Sequence, residues 1–201
     1  ILPAIASLTG GGFVITWTSY EQDGSDKGIY AQCHVANGAR LGGEFLVNTY
    51  ILGSQDTSAV AGLSNGGFVI AWQSQLQDSS GYGVYAQFFD ANCARLGNEF
   101  RVNTYTTGDQ FDPAITGLPI NSSEFVITWT SVGQDGDGNG LFAQRFTANG
   151  TLLGSEFQVN SFTNGSQSTP AIASVADSDF VITWAGDGQN STSSDIYARM
   201  F

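Results

Sequence analysis

The densest run of hard oxygen ligands in the chain is Asp135-Gly136-Asp137-Gly138-Asn139-Gly140. Oxygens at alternate positions can converge on one Ca²⁺, and the glycines allow the sharp turn this needs. Asp135, Asp137 and Asn139 are therefore candidate calcium ligands. No bidentate glutamate follows at the expected spacing, and the matching stretches Asp23–Asp26, Asp78–Ser80 and Asn190–Thr192 are poorer. A solvated hairpin loop is the plainer reading. Asn121, Asn149, Asn164 and Asn190 each open an Asn-x-Ser/Thr sequon in a turn-rich stretch, the acceptor pattern for N-linked glycan in a eukaryotic secretory setting. All four lie in one half of the chain, so glycans there would leave the other half bare.

Cys33 and Cys93 allow one disulfide and no cysteine metal cluster. If unpaired, Cys33 reads as a small buried hydrophobe and Cys93 as a surface thiol. The single histidine, His34, follows Cys33 directly. Neighbours along a strand point to opposite faces, so the two cannot form a nucleophile–base pair. There is no nucleophile-elbow serine and no glycine-rich phosphate loop leading into a helix. Paired carboxylates are the one catalytic arrangement left open, because any two loops of a radial fold converge.

These residues sit on a repeated framework. Gly12-Phe13-Val14-Ile15-Thr16-Trp17 returns as Gly67–Trp72, Glu124–Trp129 and Asp179–Trp184, at intervals of about 55 residues. Around each copy the pattern predicts four short strands. The first repeat gives Pro3–Leu8, Phe13–Trp17, Gly28–Val35 and Glu44–Asn48. The second gives Ala59–Leu63, Phe68–Trp72, Gly83–Phe89 and Glu99–Asn103. The third gives Pro113–Leu118, Phe125–Trp129, Gly140–Phe146 and Glu156–Asn160. The fourth gives Pro170–Val175, Phe180–Trp184 and Asp195–Phe201, with no fourth strand. Glycine clusters and the Asn37-Gly38 pair supply hairpin turns. The second strand is apolar on both faces, which requires a sheet on either side. A single domain over residues 1–201 follows, an all-β propeller of four blades with the last incomplete; an open β-repeat array is the alternative. The repeats run over about 3–58, 59–112, 113–169 and 170–201. The unmatched last strand leaves three readings: a three-stranded blade, a piece of a longer array, or a strand donated by a neighbouring molecule through an unpaired edge.

Recurring glutamines, Gln32, Gln87 and Gln144 in the third strand and Gln55, Gln110 and Gln167 before the first, read as groups that satisfy loop backbone. A ring of such amides could also bind sugar. The tryptophans read as core anchors between blades.

Hydrophobic residues make up 41% of the 201 and charged residues 12%, with a net charge of −12. The surface must therefore be uncharged and polar, built from Ser, Thr, Asn, Gln and Gly. An acidic chain with six basic residues does not suit nucleic acid or anionic membrane surfaces, and it holds no apolar run long enough to span a bilayer. The start at Ile1 suits a mature protein, a fragment or one piece of a longer array.

The combined pattern GGFVITW, QDG, GIYAQ and LGGEF-x-VNTY resembles the repeats of roughly this length in very large secreted bacterial proteins of hemolysin-type (RTX), cadherin-like or adhesin character, and in protist surface proteins. The resemblance covers essentially the whole chain. It implies an extracellular location and a structural or adhesive role, and it carries no catalytic residues. The four sequons and two cysteines depart from the bacterial pattern. The expectation is thus a secreted, non-enzymatic glycoprotein, the subunit of a surface coat or fibril that associates through strand edges, with Ca²⁺ and N-linked glycans as its conceivable non-protein components. The alternative is a carbohydrate-binding lectin with one pocket per blade. A glycosidase ranks last, because near-identical repeats do not supply the unlike residues an active site must bring together.

Overall fold

The computed structural model describes residues 2–118, 124–175, 178–187 and 193–201. The first sheet holds β1 (Ala4–Ser7), β2 (Phe13–Tyr20), β3 (Lys27–His34) and β4 (Arg40–Leu46) in sequence order. The second holds β5 (Gln55–Gly62), β6 (Phe68–Gln75), β7 (Tyr82–Phe89) and β8 (Arg95–Arg101). The third holds β9 (Gln110–Gly117), β10 (Glu124–Val132), β11 (Asn139–Thr147) and β12 (Leu152–Gln158). The fourth holds only β13 (Gln167–Ser174), β14 (Phe180–Gly186) and β15 (Asp195–Met200). All neighbouring strands pair antiparallel. This is the four-repeat propeller architecture with a short last blade. Among the described residues no helix is long and apolar enough to cross a membrane.

Strand alternation sends the second strand's two apolar rows to different neighbours. Val14, Ile29 and Ala31 of the first sheet pack with Phe68, Ile70 and Trp72 of the second. Val69, Val84 and Ala86 of the second pack with Phe125, Ile127 and Trp129 of the third. Val126, Leu141 and Ala143 of the third pack with Phe180, Ile182 and Trp184 of the fourth. The tryptophans inside the array are core anchors, and the indole N–H groups of Trp72 and Trp129 are buried without a partner. Cys33 on β3 and Cys93 in the turn after β7 are bonded, joining the first two sheets across their interface. Cys93 takes φ +66°, the left-handed geometry that Gly38 and Gly150 supply in the sister turns.

The fourth strands begin earlier than the sequence pattern suggests, at Arg40, Arg95 and Leu152, and stop short of the Val-Asn pairs. Those pairs turn inward instead. Val47, Val102 and Val159 donate to the carbonyls of Ile29, Val84 and Leu141, each at 2.8 Å. The asparagines then form a latch. Asn103 Oδ1 accepts from Val84 N at 2.8 Å, while its Nδ2 donates to Tyr105 O at 2.7 Å and Gln110 Oε1 at 3.0 Å. Gln110 Nε2 donates in turn to Thr107 O at 3.1 Å. Asn48 with Gln55 and Asn160 with Gln167 repeat the arrangement. Each latch ties one sheet's third strand to the loop and the innermost strand of the next.

Removing the latch leaves buried donors and acceptors unmet. Asn103→Ala should therefore lower unfolding stability by about 2–4 kcal/mol in urea titration, whereas Asn149→Ala at an exposed turn should change it by less than about 0.5 kcal/mol.

Candidate functional site at the axial rim

The sheets radiate from their innermost strands, which touch in succession, β1 with β5, β5 with β9 and β9 with β13. At the end where these strands turn into the second strands, they close up. A Cβ on Gly62 would overlap Ser7 O, and one on Gly117 would overlap Gly62 O. A cavity of about 460 Å³ there is lined by residues such as Leu8, Thr9, Leu63 and Ser64, and among the described residues no ionisable group lines it.

The opposite end is built differently. Just after the latched glutamine, each of β5, β9 and β13 carries an irregularity in its pairing. Thr57, Asp112 and Thr169 there take φ of 52°, 52° and 54°, a strained conformation for residues with a Cβ. A bulge re-aims the side chains around it. The repeats differ from one another here. Asp56, Phe111 and Ser168 follow the glutamine, then Thr57, Asp112 and Thr169; Lys27, Tyr82 and Asn139 hold one position at the start of the third strands.

The result is a cluster of unlike ionisable groups. Lys27 Nζ lies 2.8 Å from Asp56 Oδ2, both half-buried. The Asp56 hydrogen bond raises the Lys27 pKa against the opposing effect of burial. Burial pushes the Asp112 carboxyl up from its ordinary value, and the charge of Asp56 adds to this. Burial also raises Tyr82, again with Asp56 contributing. Backbone contacts hold the frame: Asp112 N donates to Gln73 Oε1 at 3.0 Å, and Tyr82 N to Asp109 Oδ1 at 2.8 Å. Ser54 Oγ donates to Asp26 beside them. Two carboxyl groups that feel one another's charge, one ion-paired with a lysine and one whose pKa burial raises, can divide acid and base roles.

Of the residues singled out from sequence, Asn139 holds the third-strand position of Lys27 and Tyr82, and Gln55, Gln110 and Gln167 precede the bulges, but none of them belongs to the ionisable cluster. Asp135 Oδ2 accepts from Asn160 Nδ2 at 2.9 Å, Asp137 Oδ2 accepts from Gly165 N at 3.1 Å, and Asn139 opens β11. Their carboxylates thus serve the loop and the third latch, and among the described residues no group of three or more His, Cys, Asp or Glu is placed to hold a metal. Asn149 and Asn164 are exposed, whereas Asn121 and Asn190 lie outside the described residues. Gln87 Nε2 donates to Phe88 O and Leu96 O, each at 2.9 Å, with Gln32 and Gln144 placed alike, so these amides serve backbone. His34 stacks on Phe13 at 4.7 Å, and its neighbour Cys33 is consumed in the disulfide. Lys27, Asp56 and Asp112 were not among the sequence candidates. Superposing the repeats on Gln55, Gln110 and Gln167 and asking where they differ would have found them.

No family model matches the chain, and no curated protein matches it in sequence. Solved structures do match in shape. The α-L-arabinofuranosidase of Fusarium graminearum with an iminosugar inhibitor aligns at TM-score 0.63 and 12% identity, over 99% of this chain and 56% of that one. The α-L-arabinanase of Penicillium chrysogenum with arabinobiose aligns at 0.61 and 15%, over 96% and 55%. The endo-arabinase of Bacteroides thetaiotaomicron aligns at 0.56 and 11%, over 98% and 72%. The chain thus spans from just over half to under three quarters of their lengths. At such identities the likeness establishes the propeller fold. The expectation of a non-enzymatic structural or adhesive protein is contradicted by these likenesses, since the three structures named are of carbohydrate-cleaving enzymes. The argument from near-identical repeats fails for a physical reason: the repeats match in their cores and diverge at the rim.

A carboxyl whose folded pKa is raised binds its proton more tightly in the folded state, so it opposes folding above the ordinary carboxylate range and ceases to do so as pH falls through that range. Asp112→Asn should accordingly raise the melting temperature at pH 7 and leave it nearly unchanged at pH 3, as read by thermal melts of both proteins.

Proposed function

We propose that the chain is a carbohydrate-active propeller of glycoside hydrolase type, taking a saccharide across the axial rim. The observation that carries the reading is the placing of Asp56 and Asp112 where the repeats diverge: Asp56 is ion-paired with Lys27, and burial together with the charge of Asp56 raises the Asp112 pKa. In this scheme Asp112 gives its proton to the departing glycosidic oxygen. Asp56, ion-paired with Lys27, either takes a proton from attacking water or attacks the anomeric carbon itself to give a glycosyl ester that water then hydrolyses, and the anomeric configuration of the product separates the two routes. Tyr82 and Gln73 flank the pair with hydrogen-bonding groups for sugar hydroxyls. The likeness to arabinose-directed enzymes makes arabino-oligosaccharides the first substrates to try. An extracellular setting suits the disulfide and the exposed sequons, and glycan at Asn149 or Asn164 and Ca²⁺ at the Asp135 loop belong to this reading as proposals.

The test is release of reducing sugar from arabino- and xylo-oligosaccharides. Asp112→Asn and Asp56→Asn should each lower kcat by at least about a hundredfold, and the wild-type rate should fall as pH rises through the Asp112 pKa. Saccharide binding in calorimetry with no turnover would replace the hydrolase by a lectin using the same rim; neither binding nor turnover would remove both.

A further inference from the structure

Each interior sheet of the array is covered on both sides, and two faces at its ends are not. Phe68, Ile70 and Trp72, and Phe125, Ile127 and Trp129, are fully buried against the preceding sheet. Phe13, Ile15 and Trp17 hold the same positions in the first sheet and are only half-buried. Ile5, which pairs with Ile15, is 66% exposed, although its counterpart Val60 is buried. At the other end Ile196 matches Ile29, Val84 and Leu141, each 0% exposed, yet is itself 77% exposed. Met200 is 63% exposed beside it, and Ala198 is exposed where Ala31, Ala86 and Ala143 are buried. Among the described residues no hydrophobic cluster joins the first sheet to the fourth.

We propose that these two faces are the halves of one interface, and that a second copy of this chain docks head to tail, its first sheet on the fourth sheet of its neighbour. The molecule builds the same interface three times within itself, with the Phe-Ile-Trp row always on the following sheet and the Val-Ala row on the preceding one. In those interfaces β5 packs on β3, β9 on β7 and β13 on β11, so Ile5 of one copy meets Ile196 of the next.

The contact is heterologous, so copies that each use both faces form a ring where the rotation closes and an open chain where it does not. Sedimentation equilibrium on the 21.2 kDa chain should show a dimer or a larger assembly. Ile5→Asp and Ile196→Asp alter side chains exposed in the single copy, so each should keep the melting temperature and circular dichroism of the parent. Each should weaken assembly at least about tenfold by burying an unpaired charge. Mixing the two variants should restore a dimer, because together they retain one intact pair of faces. A chain that stays monomeric at high concentration overturns the proposal. So does an assembly indifferent to both substitutions, and so does one that only Ile5→Asp disrupts, since that would mean a face pairing with itself.

Discussion

The structure depends on one constraint, the second strand that is apolar on both faces. A sheet built around such a strand is stabilised by a neighbour on each side, and the two interior sheets have both. Alternation then assigns the rows. Phenylalanine, isoleucine and tryptophan at one parity fill the preceding gap, and valine with threonine or alanine at the other parity fills the following one. The bulky row meets the small row at every interface, so the spacing between sheets is uniform and the packing repeats without adjustment. The constraint propagates in one direction and does not terminate itself. It leaves Phe13, Ile15 and Trp17 at one end and Ile196 and Met200 at the other with half an interface each.

Side-to-side packing fixes the distance between sheets but not their position along the axis. The asparagine latches do that. Asn48, Asn103 and Asn160 each bond a third-strand amide, a loop carbonyl and the glutamine that opens the next innermost strand. These groups are buried, so the arrangement is costly to leave incomplete, and each sheet is held in register with its successor. Glutamate adds a second tie at the surface: Glu99 accepts from Thr49 N at 2.6 Å and Glu156 from Thr104 N at 2.6 Å, each reaching back to the preceding loop. Because the latch ends at the glutamine, the bulge that follows it always falls at the axial rim.

Much of this frame was legible in the sequence. The hexamer around each tryptophan gave the repeat, its two-sided apolar pattern required stacked sheets, and the recurring glutamines read as servants of the backbone. The fourth strands begin earlier than their pattern suggests, since Arg40 and Leu41 pair with His34 and Cys33 before the register shifts near Gln32, and no local pattern announces that shift. The Val-Asn pairs read as strand and act as a latch, a role that needs the next repeat's glutamine in view. The rim cluster was missed for another reason. Lys27, Asp56 and Asp112 are far apart in sequence and lie in three different sheets, and Asp112 reaches the axis only through a positive-φ bulge that a period-two reading does not contain.

The rim is where a repeat scaffold of this kind is free to diverge. A residue in the core of any blade faces the same partners as its counterparts, so changing it breaks an interface the other copies still need to match. A residue at the start of an innermost strand faces the axis, where side chains from several sheets meet and no repeating partner constrains them. Threonine, aspartate and threonine can therefore occupy one position in turn, and lysine, tyrosine and asparagine another, with the packing unchanged behind them. The outcome is asymmetry at the single place where asymmetry can act on a bound molecule. Asp56 has Lys27 within 2.8 Å because only the first repeat has lysine there, and the charge of Asp56 adds to the burial that raises the Asp112 pKa. Identical repeats would have given a ring of like charges, each disfavouring the next. Divergent ones give one carboxylate paired with a lysine and another whose pKa burial raises.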